Sequence, residues 1–258
     1  MIFRRSHSLY LSPQRLWSSG RVGIKNNDKE KEERNGHLGA IRSTAEKNFE
    51  HSRRVKQTIV TLDMEGVLTP EIWIAVAEKT GIPELRLTTR DEPDYDKLMR
   101  GRLKILNQHR LKLSDIQSVI ASLSLLPGAK DFLDELRSLT QVLILSDTFE
   151  QFAAPLIRQL GMPTLLCHRL VVENDRITDY KIRIQEQKQK AVAAFKLMNY
   201  RVIAAGDSFN DTAMLGEADV GFLFHAPLNI TQQFPHFRAL DTYRDLLDAI
   251  KAQLSLSE

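Results

Sequence analysis

Acidic and hydroxyl side chains follow three short apolar segments of this sequence, each at the point where the segment ends. The residues are Asp63 and Glu65 after the first segment, Ser146 and Asp147 after the second, and Asp207, Asn210 and Asp211 after the third. Oxygen ligands without His or Cys suit Mg²⁺ better than a transition metal. Mg²⁺, a Ser hydroxyl and a nearby Lys would together bind a phosphoryl group and neutralise its charge.

Asp63 has the chemistry of a nucleophile for phosphoryl transfer. A carboxylate that attacks phosphorus forms an aspartyl-phosphate and divides one displacement into two steps. For an isolated Asp after a strand, a turn or helix-cap role is the simpler interpretation. The repetition of the pattern after three segments favours the catalytic interpretation. The chain contains no Walker A sequence, so nucleotide binding of that type is not predicted.

The elements that would position these side chains alternate between strand and helix patterns. Thr58 to Leu62 has the length and β-branched composition of a buried strand, and Thr69 would cap the helix that follows it. The alternation predicts an α/β fold with a doubly wound, parallel, Rossmann-like sheet. Further strands are predicted over Gln141 to Leu145, Leu165 to Val172, Arg176 to Ile182, Arg201 to Ala205 and Val220 to Phe224. Because parallel strands place their carboxyl ends at one edge, we expect the chemical residues to converge there.

Residues 73–126 interrupt this alternation with helix patterns and are predicted to form a small helical cap. The α/β core would then comprise residues 57–72 and 127–258. One predicted cap helix spans Asp94 to Gln108, and a second spans Ser114 to Ser124 with Ser114 as its cap. Arg102 lies within the apolar stripe of the first helix. A substrate carboxylate would suit its planar guanidinium, whereas the alternatives are an internal acid or a head group extended into water.

Charge is distributed unevenly along the 258 residues. Residues 1–56 hold 13 Lys/Arg and 6 Asp/Glu, whereas the rest of the chain holds 23 and 27, so the predicted core is mildly acidic. This balance argues against a nucleic-acid-binding body, and no apolar run is long enough for a membrane span. Residues 1–56 are interpreted as a basic, disordered leader, and a wrongly chosen upstream start codon is the alternative. The composition predicts a cytoplasmic protein, or an organellar one if the leader is a transit peptide.

Four separate motifs resemble those of the haloacid dehalogenase-like phosphatases. They are LDMEGVL around Asp63, Ser146 after VLIL, a Lys before the next strand, and GDSFND around Asp207. Longer segments, among them TTRDEPDYDKLM and YRVIAAGDSFNDTAML, resemble the branch of bifunctional phosphoserine phosphatases/homoserine phosphotransferases. Most of the wider family carries Asp at the position of Glu65, and this branch carries Glu.

The resemblance implies a role for each motif residue. Asp63 would attack phosphorus, Glu65 would act as general acid and base, and Lys188 would neutralise the phosphoryl oxygens. Mg²⁺ would be held by Asp63, Asp207, Asp211 and the backbone carbonyl of Glu65. Substrate would be bound by Glu71, Arg102, Ser146, Asp147 and Asn210, and Arg90 is a further, weaker candidate. Lys190 is the alternative to Lys188, because Gln187 stands where the family usually has Pro. A first-turn Glu71 could instead complement the helix dipole.

The expected activity is a Mg²⁺-dependent phosphoserine phosphatase that also transfers the phosphoryl group to homoserine. Its partners would be these small molecules, and a homodimer is one of the assembly states left open. A phosphatase for another small phosphorylated metabolite and a non-enzymatic phospho-acceptor switch are the alternative functions. His168 and His225 have no partner at metal-ligand spacing, so both are interpreted as structural.

Overall fold

The computed structural model describes residues 56–256, apart from residues 90 and 93. The predicted leader therefore lies outside the described residues except for Lys56, and its interpretation as a disordered or targeting segment stays a prediction. Within the described part of the chain, no helix is long and apolar enough to cross a membrane.

A seven-stranded sheet forms the centre of the described chain. Its order is β4-β3-β2-β1-β5-β6-β7, and all neighbouring strands pair in parallel except β3 and β4, which form an antiparallel hairpin. The strands are β1 (Thr58–Leu62), β2 (Gln141–Phe149), β3 (Thr164–Glu173), β4 (Arg176–Lys181), β5 (Arg201–Gly206), β6 (Val220–Phe224) and β7 (Arg238–Leu240). The predicted α/β class with a mostly parallel, doubly wound sheet is confirmed.

Helices connect the strands. They are α1 (Ile72–Thr80), α2 (Tyr95–Gln108), α3 (Leu113–Ala121), α4 (Ala129–Leu139), α5 (Glu150–Gln159), α6 (Gln187–Leu197), α7 (Thr212–Glu217), α8 (Leu228–Gln233) and α9 (Tyr243–Leu254). Two 3₁₀ turns, Pro83–Arg86 and Phe209–Asp211, complete the regular structure of the described residues. β7, α7 and α8 were not predicted from the sequence, because each is only three to six residues long.

The apolar face of α4 shows how the helices join the sheet. Ala129, Phe132, Leu133 and Leu136 recur at helical spacing and are buried, whereas Leu139 on the same helix is 46% exposed. On the sheet side, the β1 residues Val60 to Leu62 are fully buried, as expected of a strand covered on both faces. Burial of these apolar side chains is the main source of stability for this arrangement.

Two predicted helix starts were wrong by one or more residues. α1 begins at Ile72, and the Thr69 hydroxyl donates to the Met64 carbonyl at 3.3 Å instead of capping the helix. α3 begins at Leu113, and the Ser114 hydroxyl donates to Asp175 Oδ2 at 2.6 Å. In both cases the predicted cap side chain hydrogen-bonds a different partner, which local sequence rules do not include.

β2 continues beyond its predicted end at Leu145. Its pairing with β1 ends at Ile144, but the strand runs on to Phe149 beside β3. The β2–β3 register shifts there, since Leu145 is opposite Leu166 and Phe149 is opposite His168. Ser146 to Thr148 therefore form a bulge, which turns these residues away from regular pairing at the sheet edge.

Helices α1 to α3 occupy most of the segment predicted as a cap. Arg100 of α2 pairs with Asp179 of β4 at 2.7 Å, and Asp96 accepts a hydrogen bond from the Tyr180 hydroxyl. These contacts hold α2 against the β3–β4 hairpin. The assignment of 73–126 as a cap and of 57–72 with 127–258 as a core stays a prediction.

We predict that Leu133→Ala destabilises the protein by about 2–5 kcal/mol, because the deletion leaves a cavity between α4 and the sheet. The matched control is Leu139→Ala on the same helix, which should change the free energy of unfolding by less than about 0.5 kcal/mol. Urea denaturation of both variants measures the difference. Equal effects of the two substitutions would show that α4 does not pack through the face described here.

Candidate active site

A pocket opens where the carboxyl ends of β1, β2 and β5 meet. Its lining combines the motif residues with side chains from α1, α2 and the loop between them. The lining residues are Asp63, Glu65, Glu71, Trp73, Thr88, Thr89, Tyr95, Arg102, Ser146, Asp147, Thr148, Lys188, Asp207, Ser208 and Asn210. The structure thus brings the sequence-predicted residues together at one edge of the sheet, although Asp211 lies behind this surface.

Lys188 is buried between two carboxylates that follow different strands, Asp63 after β1 and Asp211 after β5. Its Nζ lies 2.9 Å from Asp63 Oδ1 and 2.7 Å from Asp211 Oδ1. The side chain is only 4% exposed. Lys190 lies outside the pocket, is 46% exposed and pairs with Glu186 at 3.5 Å. Of the two candidate lysines, Lys188 is therefore the one that faces the pocket.

Asp63, Asp207 and Asp211 form a compact acidic group. Each offers a carboxylate oxygen, and the three oxygens lie within 4.8 Å of one another. Burial raises the pKa of Asp63 well above its ordinary value, and the charges of Asp211 and Asp207 add to this effect. Burial, together with the Asp211 charge, raises the pKa of Asp207 to about 7.

Burial is the larger cause of both shifts, and the repulsion between the carboxylates adds to it despite the opposing charge of Lys188. A divalent cation would supply the missing positive charge, and an all-oxygen donor set suits Mg²⁺. The acidic group thus fits the expected metal in both charge and ligand chemistry.

Close backbone approach requires glycine at two positions beside this group. A Cβ on Gly66, whose φ is +77°, would lie 2.3 Å from Asp207 Oδ2. A Cβ on Gly206 would lie 2.4 Å from Asp211 Cγ. Asp211 in turn accepts hydrogen bonds from the backbone N–H groups of Asp207 and Ser208, each at 3.1 Å. These contacts fix the carboxylates before any ligand binds.

Glu65 is held at the start of α1. Its Oε2 accepts a hydrogen bond from the Ile72 N–H at 2.9 Å, and the Thr148 side chain hydrogen-bonds the same carboxyl group. Burial and the charge of Glu71 raise the pKa of Glu65 to about 7. A carboxyl group with a pKa near neutrality can both donate and accept a proton.

The bulge in β2 places Ser146 and Asp147 at the pocket wall. The Ser146 side chain is buried, and its Oγ accepts a hydrogen bond from the Thr148 N–H at 3.3 Å. The Asp147 carboxylate accepts hydrogen bonds from Gln187 Nε2 at 3.1 Å and Asn210 Nδ2 at 3.2 Å. Burial disfavours this carboxylate, but the charge of Lys188 and these hydrogen bonds keep the pKa of Asp147 below its ordinary value.

Arg102 projects from α2 into the opposite side of the pocket. Its guanidinium lies 4.4 Å above the Trp73 ring, and Nη2 donates to the Leu87 carbonyl at 2.6 Å. The side chain is 7% exposed, and its Nε finds no hydrogen-bond partner among the described residues. Burial lowers the pKa of Arg102 to about 10, which leaves it charged at neutral pH.

Neither alternative predicted for Arg102 is the arrangement found, because its guanidinium contacts the Trp73 ring and the Leu87 carbonyl, and its substrate role stays a prediction. No carboxylate of the described chain lies within ion-pair distance of it, and the head group does not extend into water. Glu71 also lines the pocket, and it immediately precedes α1 rather than lying within its first turn as predicted. Arg102 and Glu71 therefore add one basic and one acidic side chain to the lining that the motif residues form.

Several residues around the pocket were missed at the sequence level. Tyr95 of α2 donates from its hydroxyl to the Asp147 carbonyl at 3.0 Å, and the buried Gln187 hydrogen-bonds the Ser146 carbonyl. Thr148 contacts Glu65. Proximity to Ser146 and Lys188 was the only sequence signal for Thr148 and Gln187, and Tyr95 had none. Arg90, a weaker substrate candidate from the sequence, lies outside the described residues.

The chain is similar to known proteins over nearly all of the described region. Residues 57–219, more than half of the chain, match the haloacid dehalogenase-like hydrolase family. A phosphoserine phosphatase of Pseudomonas syringae pv. tomato is 61% identical over 189 residues, which cover 73% of this chain and 80% of the relative. Phosphoserine phosphatase ThrH of Pseudomonas aeruginosa is 59% identical over 203 residues, which cover 77% of this chain and 99% of the relative.

Solved structures share the fold at low sequence identity. A phospho-aspartyl intermediate analogue of phosphoserine phosphatase has a TM-score of 0.63 at 17% identity, covering 75% of this chain and 99% of its own. Phosphoserine phosphatase from T. onnurineus has a TM-score of 0.59 at 22% identity, covering 77% of this chain and 96% of its own. The family match and the two close relatives are decisive: this chain belongs to the haloacid dehalogenase-like hydrolases and is an enzyme rather than a phospho-acceptor switch.

Proposed function

We propose that this enzyme is a phosphoserine phosphatase that can also transfer the phosphoryl group to homoserine. The observation that carries the substrate assignment is Arg102, a buried cation with an unpartnered Nε at the pocket wall. A substrate carboxylate would complete its hydrogen bonds, and Glu71 would pair with a substrate ammonium. The two relatives that carry the name phosphoserine phosphatase support the same assignment.

The phosphoryl group would bind between β1, β2 and α6. Ser146 and Asn210 would donate hydrogen bonds to its oxygens, and Lys188 would neutralise their charge. Asp63 would attack phosphorus, so that the bond from phosphorus to the serine oxygen breaks as an aspartyl-phosphate forms. Glu65, with a pKa of about 7, would give its proton to the departing serine oxygen.

The second step returns Asp63 and Glu65 to their starting states. The deprotonated Glu65 would take a proton from water, or from the homoserine hydroxyl, as that oxygen attacks the aspartyl-phosphate. The products would be phosphate or phosphohomoserine. Homoserine carries the same ammonium and carboxylate as serine, with one further methylene, so Arg102 and Glu71 could hold either molecule.

Asp63, Asp207, Asp211 and the backbone carbonyl of Glu65 would hold Mg²⁺. When bound, the ion would offset negative charge that accumulates on the phosphoryl oxygens. The predicted cap, residues 73–126, carries Arg102 and Tyr95 and would exclude bulk water while the phosphoryl group moves to Asp63.

We predict that the purified full-length chain with Mg²⁺ releases phosphate from phosphoserine and, when homoserine is added, also forms phosphohomoserine. Separate quantification of phosphate and phosphohomoserine measures the two outcomes. Phosphate alone would restrict the activity to hydrolysis. Neither product, with hydrolysis of another phosphorylated metabolite, would overturn the substrate assignment.

We predict that Asp63→Asn lowers kcat by at least about 1,000-fold, because an amide cannot attack phosphorus. The fold should persist, since Asn has nearly the size of Asp and Asp211 still pairs with Lys188 at 2.7 Å. Steady-state phosphate release and thermal unfolding measure the two effects. Asp248→Asn, an exposed position on α9, is the matched control. Turnover that survives Asp63→Asn would exclude Asp63 as the nucleophile.

We predict that Arg102→Ala reduces kcat/KM for phosphoserine by roughly 30- to 5,000-fold, which corresponds to the loss of about 2–5 kcal/mol expected when one partner of a buried charge pair is removed. The loss should be much smaller for p-nitrophenyl phosphate, which has no carboxylate. Lys104→Ala on the same helix is the control, because Lys104 is exposed. An equal loss on both substrates would contradict a carboxylate-binding role for Arg102.

A further inference from the structure

The Asp147 carboxylate is surrounded by donors from the chain itself. Oδ1 lies 3.1 Å from Gln187 Nε2 and 3.6 Å from His168 Nε2. Oδ2 lies 3.2 Å from Asn210 Nδ2 and 3.7 Å from Lys188 Nζ. These four donors come from β3, from the start of α6 and from the 3₁₀ turn after β5, which are far apart in sequence.

The two donors at Oδ1 are themselves fixed in orientation. The buried His168 ring accepts a hydrogen bond from the Arg183 N–H at Nδ1, 3.2 Å away, so its proton lies on Nε2 and faces Asp147. The Gln187 Oε1 accepts from Arg183 Nε at 3.3 Å and Nη2 at 3.2 Å. Since Arg can only donate, the Gln187 NH₂ group must face the other way, toward Asp147 and the Ser146 carbonyl.

Both oxygens of Asp147 thus have partners within the chain, although the side chain lines the pocket and is 32% exposed. Gln187 and Asn210 hydrogen-bond it, one at each oxygen, and the His168 and Lys188 nitrogens lie just beyond hydrogen-bond distance. The two donors at Oδ2, Lys188 and Asn210, are the residues expected to meet the phosphoryl group. Asp147 can therefore act through Lys188 and Asn210, whereas the sequence-based expectation was a direct contact with substrate.

We propose that Asp147 is a positioning residue that holds Lys188 and Asn210 toward the phosphoryl site, with His168 and Gln187 fixing its own orientation. The proposal rests on the proposed phosphatase function. In this proposal, His168 helps to orient Asp147 and does not bind a metal. It also accounts for two hydrogen bonds that hold the β2 bulge in place. Gln187 donates to the Ser146 carbonyl, and the Tyr95 hydroxyl donates to the Asp147 carbonyl.

The test compares Asp147→Ala and Asp147→Asn on phosphoserine and on p-nitrophenyl phosphate, using the full chain with Mg²⁺. A positioning role predicts a fall of about 10- to 100-fold in kcat that is the same within about threefold on both substrates. A direct contact with the substrate ammonium predicts a selective rise in KM for phosphoserine, and that result would overturn the proposal. Asp147→Asn retains the side-chain size, so it decides the matter if the Ala variant fails to fold.

A double-mutant comparison separates positioning from general destabilisation. If Asp147 acts through Asn210, the variant Asp147→Ala/Asn210→Ala should lose about as much kcat as the more damaging single substitution. Fully additive losses would overturn the proposal. Glu186→Gln, beside Gln187 but paired with Lys190, is the matched control and should leave kcat within about twofold.

The two substrates also distinguish failure of the proposed function from failure of the proposed role of Asp147. A wild-type protein that hydrolyses p-nitrophenyl phosphate but not phosphoserine would overturn the substrate assignment alone. The double-mutant comparison on the aryl phosphate would still decide the role of Asp147.

Discussion

The buried charge of Lys188 is the constraint on which the rest of the site depends. A buried ammonium is very costly unless carboxylates surround it, and here Asp63 and Asp211 both approach it within 3 Å. Those carboxylates are themselves too close to one another and to Asp207 for a single cation to balance. The site thus holds more acidic groups than Lys188 can pair with, which fits a divalent cation.

The parallel sheet makes this charge arrangement possible. Asp63 and Asp207 follow neighbouring strands at the same edge, and the Asp63 N–H donates to the Ala205 carbonyl of β5 at 3.0 Å. Glycine at 66 and 206 lets the backbone come close enough for the carboxylates to meet. β2 contributes differently, because its bulge carries Ser146 and Asp147 out of regular pairing and toward α6. Regular strands thus position Asp63, the proposed nucleophile, and an irregular strand positions the groups proposed to surround the phosphoryl oxygens.

Selectivity would come from the helical segment rather than from the sheet. Arg102 is buried against Trp73, and its unpartnered Nε is a cost that a ligand could remove. α2 is held in place by contacts with β4 on one side and by the Tyr95 hydroxyl on the other. The same helix therefore carries the proposed carboxylate contact and touches the proposed positioning residue, Asp147. A movement of α2 over bound substrate would therefore also affect the position of Asp147, through the Tyr95 hydroxyl.

Local sequence patterns by themselves determined most of the strands and helices and the residues at the strand ends, because apolar periodicity and β-branched runs report on burial directly. They also identified Arg102 from its place in an apolar stripe, and they left Lys188 and Lys190 as alternatives. Only the tertiary structure decided between the lysines, extended β2 through its bulge and replaced Thr69 and Ser114 as helix caps. It alone brought His168, Gln187 and Tyr95 to Asp147. Those outcomes depend on hydrogen bonds between residues far apart in the chain, and no spacing within one segment encodes such partners.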